Sequence, residues 1–196
     1  MVMDTITEGK VDILPAGPEL SGFELTVAGI SAPRQLILKK IIESNRLLSL
    51  YDYIVIDGPP TLGLLVVNIM CASDGLLVPF RPDEFSRVGL GHFYNALDQI
   101  EDMGVGAHPK VIAHIPNLFD QRRKQEAKDL ERISKELIEE FGEETIMEPF
   151  TNKASFVRSQ ASRKSVYEFS SKEFMPIRKQ FDKIANRINE WSIGEH

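Results

Sequence analysis

Short runs of apolar residues alternate along this chain with segments in which apolar positions recur every three or four residues. The first pattern is typical of strands in a parallel sheet, and the second of helices with one apolar face. We predict strands at 11–14, 53–56, 75–79, 110–115 and, briefly, 146–147. We predict helices at 34–50, 62–72, 85–102, 123–141 and from about 174 to 191. This alternation predicts an α/β fold with a mainly parallel sheet flanked by helices.

Two of the predicted helices carry a clear apolar stripe. On the helix at 85–102 the stripe consists of Phe85, Val88, Phe93, Leu97 and Ile100. On the last helix it consists of Phe174, Ile177, Phe181, Ile184, Ile188 and Trp191. Stripes with this spacing usually pack against a core. We therefore interpret the last helix as a packed element and not as a groove for a partner.

The composition is that of a globular protein, with 42% hydrophobic and 27% charged residues in 196 positions. This length predicts one domain over residues 1–196. A single cysteine, Cys71, excludes a disulfide framework or a four-thiolate metal site within one chain. There is no signal-peptide pattern and no apolar run of about 18 residues. We expect a cytoplasmic protein.

The charge is unevenly distributed. The net charge is −6, but residues 151–187 contain nine Lys or Arg against three Asp or Glu. A local excess of this kind can bind a polyanion although the whole chain is acidic. A solvated basic helix face is the alternative interpretation, and it stays open.

One carboxylate stands at the end of the most apolar predicted strand. In the run 51–60, YDYIVIDGPP, four apolar residues lead to Asp57 and a rigid Gly-Pro-Pro turn follows. Asp57 in that place suits the water shell of a magnesium ion beside a nucleotide phosphate. An aspartate that only caps the next helix is the competing interpretation, and the pattern alone does not decide between them.

The segment YDYIVIDGPPTLGLL at 51–65 resembles the Walker B and switch segment of the ParA/MinD family of partition ATPases. Four further segments resemble that family in the same order along the chain, at 12–24, 77–90, 117–122 and 156–166. In the last of them, FVRSQASRKSV, Arg163 stands where the family usually has glycine. The resemblance implies a phosphate-loop NTPase-like fold and an ATPase for chromosome or plasmid partitioning, with ATP and Mg as cofactors.

The resemblance covers the C-terminal two-thirds of such an ATPase. No GxxxxGK[ST] phosphate loop occurs, and Gly9-Lys10 has no glycine loop before it. We therefore expect a domain truncated at the N-terminus that does not hydrolyse ATP at a meaningful rate alone, because little remains to stabilise the transferred phosphoryl group. We also expect an exposed strand edge, which favours self-association or pairing with a full-length relative.

The resemblance also implies functional residues. Asp57 would hold magnesium through water, and the amide of Gly58 would approach the γ-phosphate. Asn117, Thr151 and Asn152 would contact the base, although Thr151-Asn152 departs from the usual family sequence there. Non-specific DNA binding is expected from basic residues of the matching segments: Arg122, Arg123, Lys153, Arg158, Arg163 and Lys164. The implied partners are DNA of the nucleoid and a ParB-like centromere-binding protein.

Two other functions remain as alternatives. The chain could be a non-catalytic DNA-binding or regulatory module derived from the family, since the basic segment is retained and the phosphate loop is absent. It could also be a MinD-like membrane-associated ATPase whose last helix lies in the interface. The apolar stripe of that helix includes Phe181 and Trp191 and ends near acidic Glu195, which favours core packing. We therefore expect no membrane partner.

Overall fold

The computed structural model describes residues 3–6, 10–105, 108–151 and 154–194. The chain divides into two compact units, residues 1–72 and 73–196, and each is described by itself. The expectation of one domain over residues 1–196 stays a prediction.

Unit 1 contains an antiparallel pair of strands and three helices. Strand β1 (Met3–Ile6) pairs with β2 (Lys10–Ile13), and the helices are α1 (Phe23–Thr26), α2 (Ile37–Ser44) and α3 (Leu64–Ala72). Short 3₁₀ turns lie at Pro18–Gly22, Arg34–Leu36 and Leu47–Ser49. The helix predicted at 34–50 is thus broken into three pieces, and the one predicted at 62–72 is confirmed.

A buried asparagine joins the second and third helices of unit 1. The Asn68 side chain accepts a hydrogen bond from the Leu38 amide at 3.1 Å through Oδ1. Its Nδ2 donates to the carbonyl oxygens of Arg34 and Leu64, both at 2.9 Å. Because Asn68 is only 1% exposed, these bonds replace water for a polar group in the core.

The strand predicted at 53–56 is wrong. These residues form no strand, and Val55 is 86% exposed. A strand requires a hydrogen-bonded neighbour, and the two strands described in unit 1 pair with each other. An apolar run reports a tendency to be buried, but it does not say which chain segment is available for pairing.

Unit 2 contains the parallel part of the sheet. Strand β3 (Gly75–Phe80) pairs in parallel with β4 (Lys110–Pro116), and the helices are α4 (Glu84–Asp102), α5 (Lys124–Phe141), α6 (Ala154–Ser162) and α7 (Met175–Gly194). The predicted short strand at 146–147 is reduced to a parallel bridge between His114 and Ile146. A parallel sheet flanked by helices confirms the predicted α/β fold.

The core of unit 2 forms two apolar clusters around β3 and β4. One contains Ala113, Ile115, Phe150, Val166, Phe174 and Ile177, and the other Val78, Phe80, Leu90, Ile133 and Leu137. Phe174, in the turn just before α7, and Ile177 of α7 are buried, and Phe181 and Ile184 pack against their cluster, so this part of the predicted stripe packs as predicted. The predicted stripe of α4 is partly wrong, because Ile100 is buried but Phe85 is 91% exposed. Within the described ranges, no helix combines the length and apolar character needed to cross a bilayer.

Candidate functional site

Three segments of unit 2 end at the same edge of the sheet. Asn117 follows β4, and its amide donates to the carbonyl of Phe80, the last residue of β3, at 2.7 Å. The Phe119 amide donates to the carbonyl oxygen of Phe150 at 3.0 Å. Phe119 also forms a parallel β-bridge with Thr151. In open α/β sheets, ligands bind at the carboxyl ends of parallel strands. This edge of the sheet is therefore the expected position of a binding site.

A cleft of about 610 Å³ lies at this edge. It is lined by Arg81, Leu118, Phe119, Asp120, Gln121, Arg122, Arg123, Glu126 and Thr151. A second cleft of about 420 Å³ shares Gln121 and Thr151 with it and is also lined by Glu148, Pro149, Pro176, Lys179, Gln180 and Lys183. Small-molecule sites have volumes in this range. Both clefts are open grooves on the surface of unit 2.

Charged side chains that line the larger cleft form ion pairs with one another. Arg122 donates to Asp120 through Nε at 2.9 Å and Nη2 at 2.8 Å, and its backbone amide donates to Oδ1 at 3.0 Å. These bonds lower the pKa of Asp120 to about 2 and raise the pKa of Arg122. Glu126 accepts from Arg123 Nη1 and from the Asp120 amide, both at 2.9 Å. Arg122 and Arg123 thus hold the shape of the wall through carboxylate partners.

The residues predicted to contact a base do not all line the clefts. Thr151 lines both clefts. The Asn117 side chain accepts from the Leu118 amide at 2.8 Å and supports a left-handed turn there, with φ of 56°. Asn152 lies outside the described residues. Asp120 and Glu126 were not predicted as parts of the site, although the Asp-x-Arg sequence at 120–122 could have indicated the Asp120–Arg122 pair.

Asp57 and Gly58 belong to unit 1, whereas both clefts belong to unit 2. Asp57 is exposed and lies in a loop, and a Cβ added to Gly58 would come 3.2 Å from Cδ1 of Ile69. Within the described parts of the chain, no group of three His, Cys, Asp or Glu side chains could hold a metal ion together. One exposed carboxylate fits a magnesium ion whose other ligands are water and phosphate, and does not fit a site made by protein alone.

Arg158, one of the residues predicted to bind DNA, is already engaged. Its guanidinium group pairs with Glu173. It also lies over the rings of Phe174 and Phe169, at 5.1 Å and 5.8 Å from their centroids. Cation–π and carboxylate contacts of this kind stabilise the packing of α6 on the segment before α7. Lys153, another predicted DNA contact, lies outside the described residues.

Arg163 and Lys164 end α6 in a Schellman motif. The Arg163 amide donates to the backbone carbonyl of Gln160 at 3.0 Å, and the Lys164 amide donates to the backbone carbonyl of Ser159 at 3.2 Å. Arg163 has a φ of 50°, in the left-handed region that glycine adopts without strain. This explains why glycine suits the position. Both side chains are exposed, and no ion pair of either is found within the described part of the chain.

A family model described as "AAA domain" matches residues 1–108, which is more than half of the chain. The chain belongs to this family. The chromosome partitioning protein ParA of Caulobacter vibrioides is 28% identical over 133 residues, which cover 68% of this chain and 48% of that protein. The sporulation initiation inhibitor protein Soj of Bacillus subtilis is 31% identical over 100 residues, covering 51% and 38%. The chain thus spans less than half the length of these relatives.

The solved structure of Cyanothece apo McdA matches with a TM-score of 0.76 at 18% identity, over 90% of this chain and 68% of that one. At this identity the likeness shows the fold alone. Together with the family match and the partition relatives, it confirms the predicted ParA/MinD-like membership and fold.

Proposed function

We propose that this chain provides the Walker B, base-side and DNA-binding parts of a ParA-type partition ATPase, and that it does not hydrolyse ATP alone. The proposed nucleotide binding rests on one observation, the cleft of about 610 Å³ at the carboxyl ends of β3 and β4, which Thr151 helps to line. The partition relatives and the order of the family segments support the same function.

The proposed roles follow from the chemistry of each residue. When bound, ATP with magnesium supplies the phosphates and the cation that complete the site. Within unit 1, we propose that Asp57 orients the magnesium water shell and that Gly58 leaves its amide accessible. Within unit 2, we propose that Thr151 and Asn117 border the base. No GxxxxGK[ST] sequence occurs in the 196 residues, so this sequence does not provide the lysine and the ring of amides that such a loop places around the β- and γ-phosphates. We therefore expect ATP to bind no tighter than the millimolar range, about −4 kcal/mol.

A titration of the purified chain with a fluorescent ATP analogue, with and without magnesium, tests this proposal. We expect millimolar binding that is stronger with magnesium, and phosphate release equal to the protein-free rate. Asp57→Asn should remove the magnesium dependence, whereas the exposed neighbour Asp52, changed to Asn, should keep it. Steady phosphate release that Asp57→Asn abolishes would refute the proposed inactivity. Binding that does not respond to magnesium would refute the role of Asp57.

A non-catalytic DNA-binding module is the second candidate, and the exposed pair Arg163 and Lys164 favours it. DNA binding is compatible with both candidates, so nucleotide binding is the property that separates them. The MinD-like alternative is disfavoured because Phe174 and Ile177 of the last apolar stripe lie in the core of unit 2. They are therefore not available to enter a membrane interface.

A further inference from the structure

The loop at 57–63 has, near each end, a glycine that leaves little room for a side chain. At its start, a Cβ on Gly58 would lie 3.2 Å from Cδ1 of Ile69, a residue of α3. At its end, a Cβ on Gly63 would lie 2.7 Å from Oε1 of Glu24. Distances under 3.0 Å are not tolerated by real Cβ atoms, so a side chain at residue 63 would displace the Glu24 carboxylate.

The Glu24 carboxylate occupies the N-terminus of α3. Its Oε1 accepts a hydrogen bond from the Leu64 amide at 2.8 Å, and Leu64 is the first residue of this nine-residue helix. The first amides of a helix have no partner within the helix, and a negative charge there is also favoured by the helix dipole. Glu24 lies 40 residues earlier, in α1, so the cap is a tertiary contact.

The rest of α3 is held by a different contact. Asn68 joins it to α2 through the Leu38 amide and the Arg34 carbonyl. Removal of the Glu24 cap should therefore loosen the first turn of α3 and the loop before it, while the helix as a whole stays in place. The cap acts on the segment that carries Asp57 and Gly58.

We infer that Glu24 is a positioning residue for the loop at 57–63, acting through the cap of α3 and through the close approach to Gly63. This inference rests on the proposed function, because Asp57 and Gly58 are proposed there to serve the nucleotide. The carboxylate fixes where the loop ends, and the Ile69 side chain limits the space where it begins. Together they restrict the conformations that the backbone between Asp57 and Leu64 can adopt.

Amide hydrogen exchange and NMR chemical shifts of the intact chain test the inference without any ligand. In Glu24→Ala we expect the Leu64 amide to exchange about tenfold faster, because a charge-assisted hydrogen bond is removed. We also expect the Gly58 amide resonance to move. Glu24→Gln keeps an acceptor oxygen and should restore much of the protection. The control is Glu43→Ala, an exposed glutamate in α2 of the same unit, which should change neither signal.

Two results would overturn the inference. If Leu64 exchange is unchanged in Glu24→Ala, or rises equally in Glu43→Ala, the cap is not formed by Glu24. If Leu64 exchange rises but the Gly58 resonance stays in place, Glu24 caps the helix without positioning the loop.

A second variant tests the close approach to Gly63. Gly63→Ala should reproduce the faster Leu64 exchange, because the new methyl group displaces the Glu24 carboxylate. In Glu24→Ala the same change should add no further acceleration. Independent, additive effects of the two changes would contradict the inference. Since neither experiment uses nucleotide or DNA, a failure here leaves the proposed function to be judged by the ATP titration.

Discussion

His114 is a titratable side chain in the centre of unit 2. It lies on β4, buried, with its Nε2 2.6 Å from the Tyr94 hydroxyl and its Nδ1 3.1 Å from the Thr145 hydroxyl. The Thr145 hydroxyl donates its proton to the Gly142 carbonyl at 2.9 Å, so it accepts from Nδ1–H of His114. Nε2 then carries the lone pair that accepts from Tyr94. Burial lowers the pKa of His114 to about 4 and raises the pKa of Tyr94.

This arrangement predicts a loss of stability in mild acid. The pKa of His114 rises from about 4 in the folded protein to about 6.5 when the chain unfolds, so the unfolded state binds the proton more tightly. Neutral His114 contributes in full to the free energy of unfolding above pH 6.5. As the pH falls towards 4, the free energy of unfolding decreases by up to about 3 kcal/mol. Urea unfolding at several pH values measures it.

His114→Gln should flatten the dependence of unfolding free energy on pH between 6.5 and 4. The exposed His92, changed to Gln, provides the matched control and should leave the slope as in the wild type. If both variants retain the wild-type slope, the acid sensitivity has another source. Protonation of Asp120 does not interfere, because its pKa of about 2 places its loss of stability below this window.

At the scale of elements, the link between α2 and α3 depends on one amide side chain. Asn68→Ala removes a buried side chain that bonds the Leu38 amide and the Arg34 carbonyl. We expect a loss of about 2–4 kcal/mol in unfolding free energy, measured by urea denaturation. The control Asn45→Ala removes an exposed hydrogen bond to Ile41 and should cost under about 0.5 kcal/mol. Equal losses in the two variants would contradict this role of Asn68.

Helices and paired strands were predictable from sequence because their patterns are local. The helices predicted at 85–102 and 123–141 are found at Glu84–Asp102 and Lys124–Phe141. The conformation of residues 53–56 was not predictable in the same way, since a strand depends on a neighbour that periodicity does not describe. The same limit applies to Phe85, whose spacing fits a buried stripe but whose side chain is exposed.

The candidate site was predictable in its place but not in its contacts. Sequence patterns pointed to the loops after the strands, and Thr151 does line the clefts there. The Asp-x-Arg sequence could have indicated the Asp120–Arg122 pair, but no residue pattern predicted the left-handed turn at Leu118. The role of Glu24 could not be predicted either, because its hydrogen bond with Leu64 spans 40 residues.

For the whole molecule, the excess of positive charge at 151–187 is partly used inside unit 2. Arg158 and Lys183 pair with Glu173 and Glu148. Arg178 and Arg187 donate to the carbonyl oxygens of Val166 and Ile112. Among the predicted DNA contacts, Arg163 and Lys164 are exposed and carry no ion pair within the described residues, so we propose that they meet DNA.

We expect Arg163→Gly combined with Lys164→Ala to weaken binding to duplexes of any sequence. Glycine keeps the left-handed turn, so the variant changes charge while preserving the end of α6. Fluorescence anisotropy at several salt concentrations should show a slope reduced by about one unit for each phosphate that the variant no longer neutralises. Lys179→Ala with Lys183→Ala is the control and should matter less. A larger effect of the control pair, or no effect of either pair, would show that this surface is wrongly assigned.

The exposed apolar run at 53–56 has a consequence for how long the protein persists in a cell. Proteases cut exposed loops and chaperones bind exposed apolar side chains, and Val55, which is 86% exposed in a loop, is accessible to both without any unfolding. Degradation through this segment would begin from the native state, so its rate would not be slowed by the stability of either core. The abundance of the protein would then depend on whether this segment is covered.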